Sequence, residues 1–209
     1  MYLPDHFRED RPDRIEELIR QNPLATLVTI GSGGLIATHL PLLYEPLAGS
    51  AGVLHGHVSR ANPRWQDFRA DIEALAIFHG PHSQISTTWY PTKEQTGRVV
   101  PTWNYAVVHA YGPLEVYTDA ARLRRHVAAL TAIHEKNWTV DDAPPEFIDG
   151  LLRAIVGIDI RITRVEGKWK MSQNRPPEDR AGVVRALSAK GDPVSAAVAR
   201  LVEERAPRE

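Results

Sequence analysis

Between residues 24 and 163 the chain runs through a series of short β-rich segments with little helix between them. LATLVTI (Leu24 to Ile30) is followed by the turn GSGG and a second run from Leu35 to Leu42, which together read as a hairpin. Pro41 near the end of the second run argues for a sheet edge or a strand terminus. A third strand is expected over Val53–Val58, and the continuous apolar run Ala74–His79 reads as a buried strand. Next comes the aromatic stretch from His79 to Gly112, with a second arm running from Trp103 to about Tyr117. Ile158, Ile160 and Ile162 then alternate with Asp159, Arg161 and Thr163, the pattern of a half-buried strand. Six or seven such strands, without the helical crossovers a parallel sheet needs, imply an antiparallel barrel. The fold class is mainly β with flanking helices.

The helices lie at the ends and in one block. Arg11 to Gln21 has Pro12 in its first turn and Ile15, Leu18 and Ile19 on one face. A short helix is expected after Asn62-Pro63. Asp119 to about Lys136 repeats Leu123, Val127, Leu130 and Ile133 at helical spacing, and DDAPPEF opens another helix through Leu151, Leu152 and Ile155. Gly167 is expected to make a turn. Two tail helices are predicted, about Asp179–Ser188 and Pro193–Glu204. The best boundary falls at Pro176-Pro177, giving a barrel domain over 1–175 and a helical tail over 176–209 packed on it.

Composition excludes several functions. With 25 Lys and Arg against 26 Asp and Glu, the formal charge is -1, so no global field draws in nucleic acid or an anionic membrane. There is no cysteine, hence no disulfide and no thiolate chemistry. The opening MYLPDHFREDRPDR lacks an apolar signal core, and no apolar run reaches membrane-spanning length, so a cytoplasmic protein is expected.

Two polar clusters can carry chemistry. In HGHVSRANPRW, His55 and His57 share a strand face, and Ser59, Arg60 and Asn62 crowd the turn after it. Hydroxyl, guanidinium and turn amides suit a phosphate, while the same residues also serve as a strand end with a surface Arg and an Asn cap. No third ligand stands at metal spacing, so a metal is not expected. In KMSQNRPPEDR, Gln173 and Arg175 can read the polar edge of a heterocycle or cap the helix that follows. The aromatic stretch adds planar rings, as a flat conjugated ligand requires, though the same rings can fill a sheet core.

Five ordered blocks, MYLPDHF, HGHVSRANPRW, ISTTWYPTK, VPTWNYAVVHAYG and KMSQNRPPEDRAGV, resemble the PaiB family over nearly the whole chain. That family comprises FMN-binding negative transcriptional regulators with a split-barrel fold like that of pyridoxamine-phosphate oxidase. The resemblance implies an antiparallel split β-barrel with a helical C-terminal tail, a homodimer, and FMN in a groove between subunits. It makes Ser59 and Arg60 phosphate ligands with His57 and Asn62 nearby. Ser86, Trp89 and Tyr90 of ISTTWY, with Thr102, Trp103 and Asn104 of PTWNY, become walls of the flavin groove. Gln173 and Arg175 become ring or phosphate contacts.

Three functions follow: a flavin-holding transcriptional regulator, an FMN-dependent oxidoreductase of the pyridoxamine-phosphate-oxidase-like or flavin-reductase class, or a dimeric binder that has lost the flavin. Residues 176–209 carry six basic and six acidic residues, a net charge of zero that argues against direct DNA binding.

Overall fold

The computed structural model describes residues 1–205, so Arg208 and Glu209 of the tail charge count lie outside the described residues. Among the described residues, ten strands form two open antiparallel sheets. They are β1 (Arg8–Glu9), β2 (Leu24–Gly31), β3 (Gly34–Pro41), β4 (Leu43–Glu45), β5 (Val53–Ser59), β6 (Ala74–Ile85), β7 (Thr102–Gly112), β8 (Leu114–Tyr117), β9 (Ile155–Arg161) and β10 (Arg164–Lys170). One sheet has the order β1-β10-β7-β6-β2-β3 and the other β4-β5-β9-β8. The helices are α1 (Pro12–Gln21), α2 (Thr92–Thr96), α3 (Ala120–His134), α4 (Pro145–Arg153), α5 (Pro177–Ala189) and α6 (Pro193–Glu204). No helix among the described residues is long and apolar enough to cross a membrane.

The chain divides into two compact units. One gathers residues 19–78 and 109–165; the other gathers 1–18, 79–108 and 166–205. β6 and β7 are continuous strands with residues in both.

In the first unit, β2 and β3 pair from Leu24↔Pro41 to Gly31↔Gly34. Ala25 and Leu27 of β2 point to the core. The turn is fixed by Asp67, whose carboxylate accepts the Ser32 amide at 2.8 Å. β5 pairs with β9 from Val53↔Arg161 to Ser59↔Ile155. Alternation places Leu54, Val156, Ile158 and Ile160 on the core face, all at most 2% exposed. On α3 and α4, Leu123, Ile148 and Leu152 form a second apolar cluster with Tyr117, Val127 and Ile155 packed against it. Burial by these helices corrects the half-buried reading of this strand: Gly157 and Asp159, on its opposite face, are buried too.

In the other unit, β1 pairs with β10 through Arg8↔Lys168 and Glu9↔Gly167. Gly167 is therefore inside a strand and not in a turn. A side chain there would stand 2.6 Å from the Glu9 carbonyl oxygen, so the close approach of β1 explains the glycine. α5 packs on α6, and Val183, Leu187, Val198, Ala199 and Val202 are buried. Three smaller corrections concern boundaries. Pro113 splits the second aromatic arm into β7 and β8, Ile155 opens β9 instead of continuing α4, and Asn62 caps only a single 3-10 turn, Pro63–Trp65.

Candidate functional site

The end of β5 presents Ser59, Arg60 and Asn62 in consecutive bonding roles. The Arg60 amide donates to the Ala154 carbonyl at 2.8 Å, its Nε to Arg153 O at 2.7 Å and its Nη2 to Ile155 O at 3.1 Å. The guanidinium thus caps the C-terminus of α4, where orphan carbonyls and the helix dipole favour a cation. Ser59 Oγ accepts the Ala61 amide at 3.2 Å, and Asn62 Oδ1 accepts the Arg64 amide at 3.1 Å. These bonds use acceptor atoms of Ser59 and Asn62. The Ser59 hydroxyl proton, the Asn62 amide protons and Arg60 Nη1 remain as donors.

Beside them, on the same face of β5, runs a buried polar network. Asp159, 6% exposed, accepts from His55 Nδ1 at 2.8 Å and from Arg122. His55 Nε2 lies 3.0 Å from Glu45 Oε2, so an imidazolium can donate to two carboxylates. The bond to Asp159 accordingly raises the His55 pKa above its ordinary value, against the effect of burial. His57 takes a different partner: its Nδ1 stands 3.0 Å from Nε2 of His126. Burial lowers the pKa of both rings, that of His126 to about 4, so they form a neutral pair in which one donates and one accepts. The two imidazoles of the His-x-His sequence therefore serve separate partners.

The Tyr117 ring lies between Arg122, whose guanidinium carbon is 3.9 Å from the ring centroid, and Gly157. A Cβ at Gly157 would stand 2.1 Å from the ring, so only glycine lets the tyrosine lie flat on β9. A cavity of about 540 Å3 opens here, lined by residues that include Tyr44, His55, Tyr117, Arg122 and His126. A smaller one of about 250 Å3 shares Glu45, His55 and Arg122 with it.

The other eight expected flavin residues belong to the other unit. Ser86 Oγ accepts the Thr88 amide at 3.2 Å and caps the 3-10 turn Thr87–Trp89. Trp89 is half-buried, with Lys190 Nζ 5.2 Å from its ring. Tyr90 is 2% exposed, and the Arg175 guanidinium sits 4.6 Å from its ring and within hydrogen-bonding reach of its hydroxyl. Burial raises the Tyr90 pKa. Thr102 Oγ1 accepts from Lys170, which also donates to Trp103 O at 2.7 Å. Trp103 itself is 54% exposed. Asn104 is fully buried and exchanges hydrogen bonds with Ser172 at 3.0 and 3.2 Å. Ser172 has a φ of 61°, a left-handed conformation that serine seldom adopts. Gln173 accepts the Met171 amide and donates to Trp169 O, both at 2.6 Å, so its amide is used to terminate β10.

Sequence reasoning missed Asp159, Arg122, Tyr117 and His126. Asp159 carried the strongest available signal, as an acidic residue between two isoleucines and opposite His55 in register.

The whole chain is similar to known proteins. A family profile described as "Putative FMN-binding domain" matches residues 1–164. The Bacillus subtilis "Protease synthase and sporulation protein PAI 2" is 31% identical over 211 residues, covering 98% of each chain. An uncharacterized protein of Emericella nidulans is 32% identical, covering 98% of this chain and 97% of its own. Among solved structures, the flavocytochrome Anf3 of Azotobacter vinelandii superposes with a TM-score of 0.56 at 11% identity, covering 78% of this chain and 69% of its own. The FAD and heme binding protein of Mycobacterium smegmatis gives 0.54 at 15% identity, with 78% and 73% covered. At such identities these structures speak for the fold, an antiparallel split barrel with flanking helices and a helical tail.

Proposed function

We propose, from the premise that this chain belongs to the PaiB-type family of FMN-binding domains, that it holds FMN and acts as a negative regulator of transcription through its flavin-bound form. The observation that carries the reading is the donor set at the end of β5. An FMN phosphate is a dianion that needs a cation and several N–H or O–H groups. Arg60 Nη1, the Ser59 hydroxyl and the Asn62 amide are such donors, and two carbonyls already fix the guanidinium in orientation. Among the residues of the other unit that the family resemblance names, half-exposed Trp103 presents an aromatic face of the kind that a planar heterocycle covers. The donor chemistry therefore fits the cofactor. When bound, the isoalloxazine supplies redox chemistry, while the chain's residues bind and orient it. Asn104 and Gln173, whose amides bond within the chain, support this by shaping the end of β10.

Regulation is read as indirect. Residues 176–205 carry five basic and five acidic side chains, and Arg205 pairs with buried Glu9. A neutral helical pair has little counterion release with which to hold a duplex. The family reading includes a cytoplasmic homodimer, with Trp89 or half-exposed Trp103 near its interface. Sedimentation at micromolar concentration should show the dimer, and a monomer with or without FMN would remove that part.

The test is a titration of FMN and riboflavin against wild type and Arg60→Ala, read by flavin fluorescence. Loss of a charge-assisted bond should weaken FMN by one to two decades, about 1.5–3 kcal/mol, and riboflavin little. Because Arg60 also caps α4, some loss of stability is expected and riboflavin is the internal control. Equal losses for the two ligands would take Arg60 out of the phosphate role. Turnover of bound flavin by a nicotinamide cofactor would instead favour an FMN-dependent oxidoreductase.

A further inference from the structure

The outward face of β10 carries positive charge that nothing in the chain neutralises. Lys168 and Lys170 alternate with buried Gly167 and Trp169, so both ammonium groups stand on the face turned away from the core. Lys170 donates to Thr102 Oγ1 and to Trp103 O at 2.7 Å, and Lys168 donates to Tyr2 O at 3.0 Å. The Arg175 guanidinium, just beyond the strand, lies over the Tyr90 ring within reach of its hydroxyl. All these acceptors are neutral. The nearby carboxylates are taken: Glu166 pairs with the Met1 ammonium, Asp5 and Asp10 face Arg8, and Asp179 accepts from Thr92. Among the described residues, Lys168, Lys170 and Arg175 have no carboxylate partner.

Burial lowers the Lys170 pKa, and the charges of Lys168 and Arg175 lower it further, so these cations crowd one another without relief. Like charges held together cost free energy until an anion joins them. The donors left over define that anion. Lys170 keeps one N–H and Lys168 two, and the guanidinium adds its own fork. Three positive charges with that many donors exceed what a carboxylate matches with one charge and two oxygens. A phosphate monoester brings about two charges and three acceptor oxygens, which suits the cluster.

We propose that Lys168, Lys170 and Arg175 hold the phosphate of a second ligand, a small organic phosphate ester that binds beside the flavin. On the FMN reading, on which this site rests, the single flavin phosphate is held by the donors at the end of β5, and a further cationic cluster calls for a further anion. Thr102, Trp103 and Arg175 are expected flavin residues, and Lys170 is tied to the first two. The ester therefore lies at the edge of the flavin site and not apart from it. The interaction is ionic and involves no covalent step.

Calorimetric titration of inorganic phosphate at low salt into the full chain, already saturated with FMN, tests this. One saturable site per chain is expected, and acetate should bind about tenfold more weakly. Lys168→Gln and Lys170→Gln should each weaken phosphate by about tenfold, while Lys168→Arg keeps the charge and the binding. Lys168 bonds only the Tyr2 carbonyl, so its variants keep the fold even if Lys170→Gln does not. No saturable binding to the FMN-saturated chain, equal affinity for acetate, or indifference to Lys168→Gln would each overturn the site. The flavin-free chain then tells the two readings apart. Phosphate binding that FMN abolishes and Lys168→Gln leaves alone would sink this site and spare the Arg60 role. Phosphate binding that FMN abolishes and Lys168→Gln weakens would put the flavin's own phosphate on the cluster, and both readings would fall.

Discussion

Asp159 and Asp179 are both buried carboxylates, one in each unit, and they are held in opposite ways. Asp159 lies between counter-charges, accepting from His55 and Arg122. Asp179 is fully buried in the first turn of α5 and accepts from the Thr92 amide at 3.1 Å and the Thr92 hydroxyl at 2.8 Å. Helix-end amides and a neutral hydroxyl stabilise it there, with the dipole adding to them. A buried negative charge can thus be balanced by ions or by fixed dipoles. The first arrangement includes a titrating imidazole and responds to pH; the second joins α5 to α2 through neutral donors.

The sharpest test of that contrast is acid titration. The folded pKa of His126 is about 4, below its ordinary 6.5, so the fold favours the neutral ring. Its contribution is fully present above pH 6.5 and is lost as pH falls toward 4, up to about 3 to 4 kcal/mol by linkage. His55 has the opposite sign: its raised pKa contributes below 6.5 and fades as pH rises through the folded value. Urea unfolding from pH 7 to 4 should show the loss, and His126→Gln should flatten it. A profile unchanged by that substitution would place the acid sensitivity outside this network.

Next in size is Asp159→Ala, which leaves Arg122 and His55 without their shared anion. About 3 kcal/mol is expected, at the low end for a broken buried pair because the Arg122 side chain is 42% exposed. Asp179→Ala should cost less, about 2 kcal/mol from its lost charge-assisted bonds. If Asp179→Ala proved the costlier change in urea, fixed dipoles would be the stronger device and the comparison would reverse.

What could be read from the sequence depended on how far away a residue's partner lies. The cap on Asn62, the Ser86 turn and the Gln173 clasp all bond within four residues, and their capping chemistry is visible in a short window. The helix Pro193–Glu204 was legible to its end residues for the same reason, since Pro193 opens it and Asp192 caps it. Asp159 was not legible. Its partners lie 104 residues before and 37 residues before it, too far away for a short window of sequence to show them. Gly167 misled because glycine marks turns in sequence, whereas here it admits a neighbouring strand. The blocks that carried the family resemblance identified the polar turn after β5 and the aromatic arms, but of the residues lining the cavity beneath α3 only His55 lies in those blocks.

Gly157 has a consequence for how that cavity receives anything. Mid-strand glycine costs roughly 0.5–1 kcal/mol relative to alanine in backbone freedom. In return the Tyr117 ring is clamped between the strand backbone and the Arg122 guanidinium. A ring held on both faces cannot turn over without moving its neighbours, unlike exposed side chains that change rotamer within nanoseconds. The wall is therefore organised before any guest arrives, and little ordering entropy is lost there on binding.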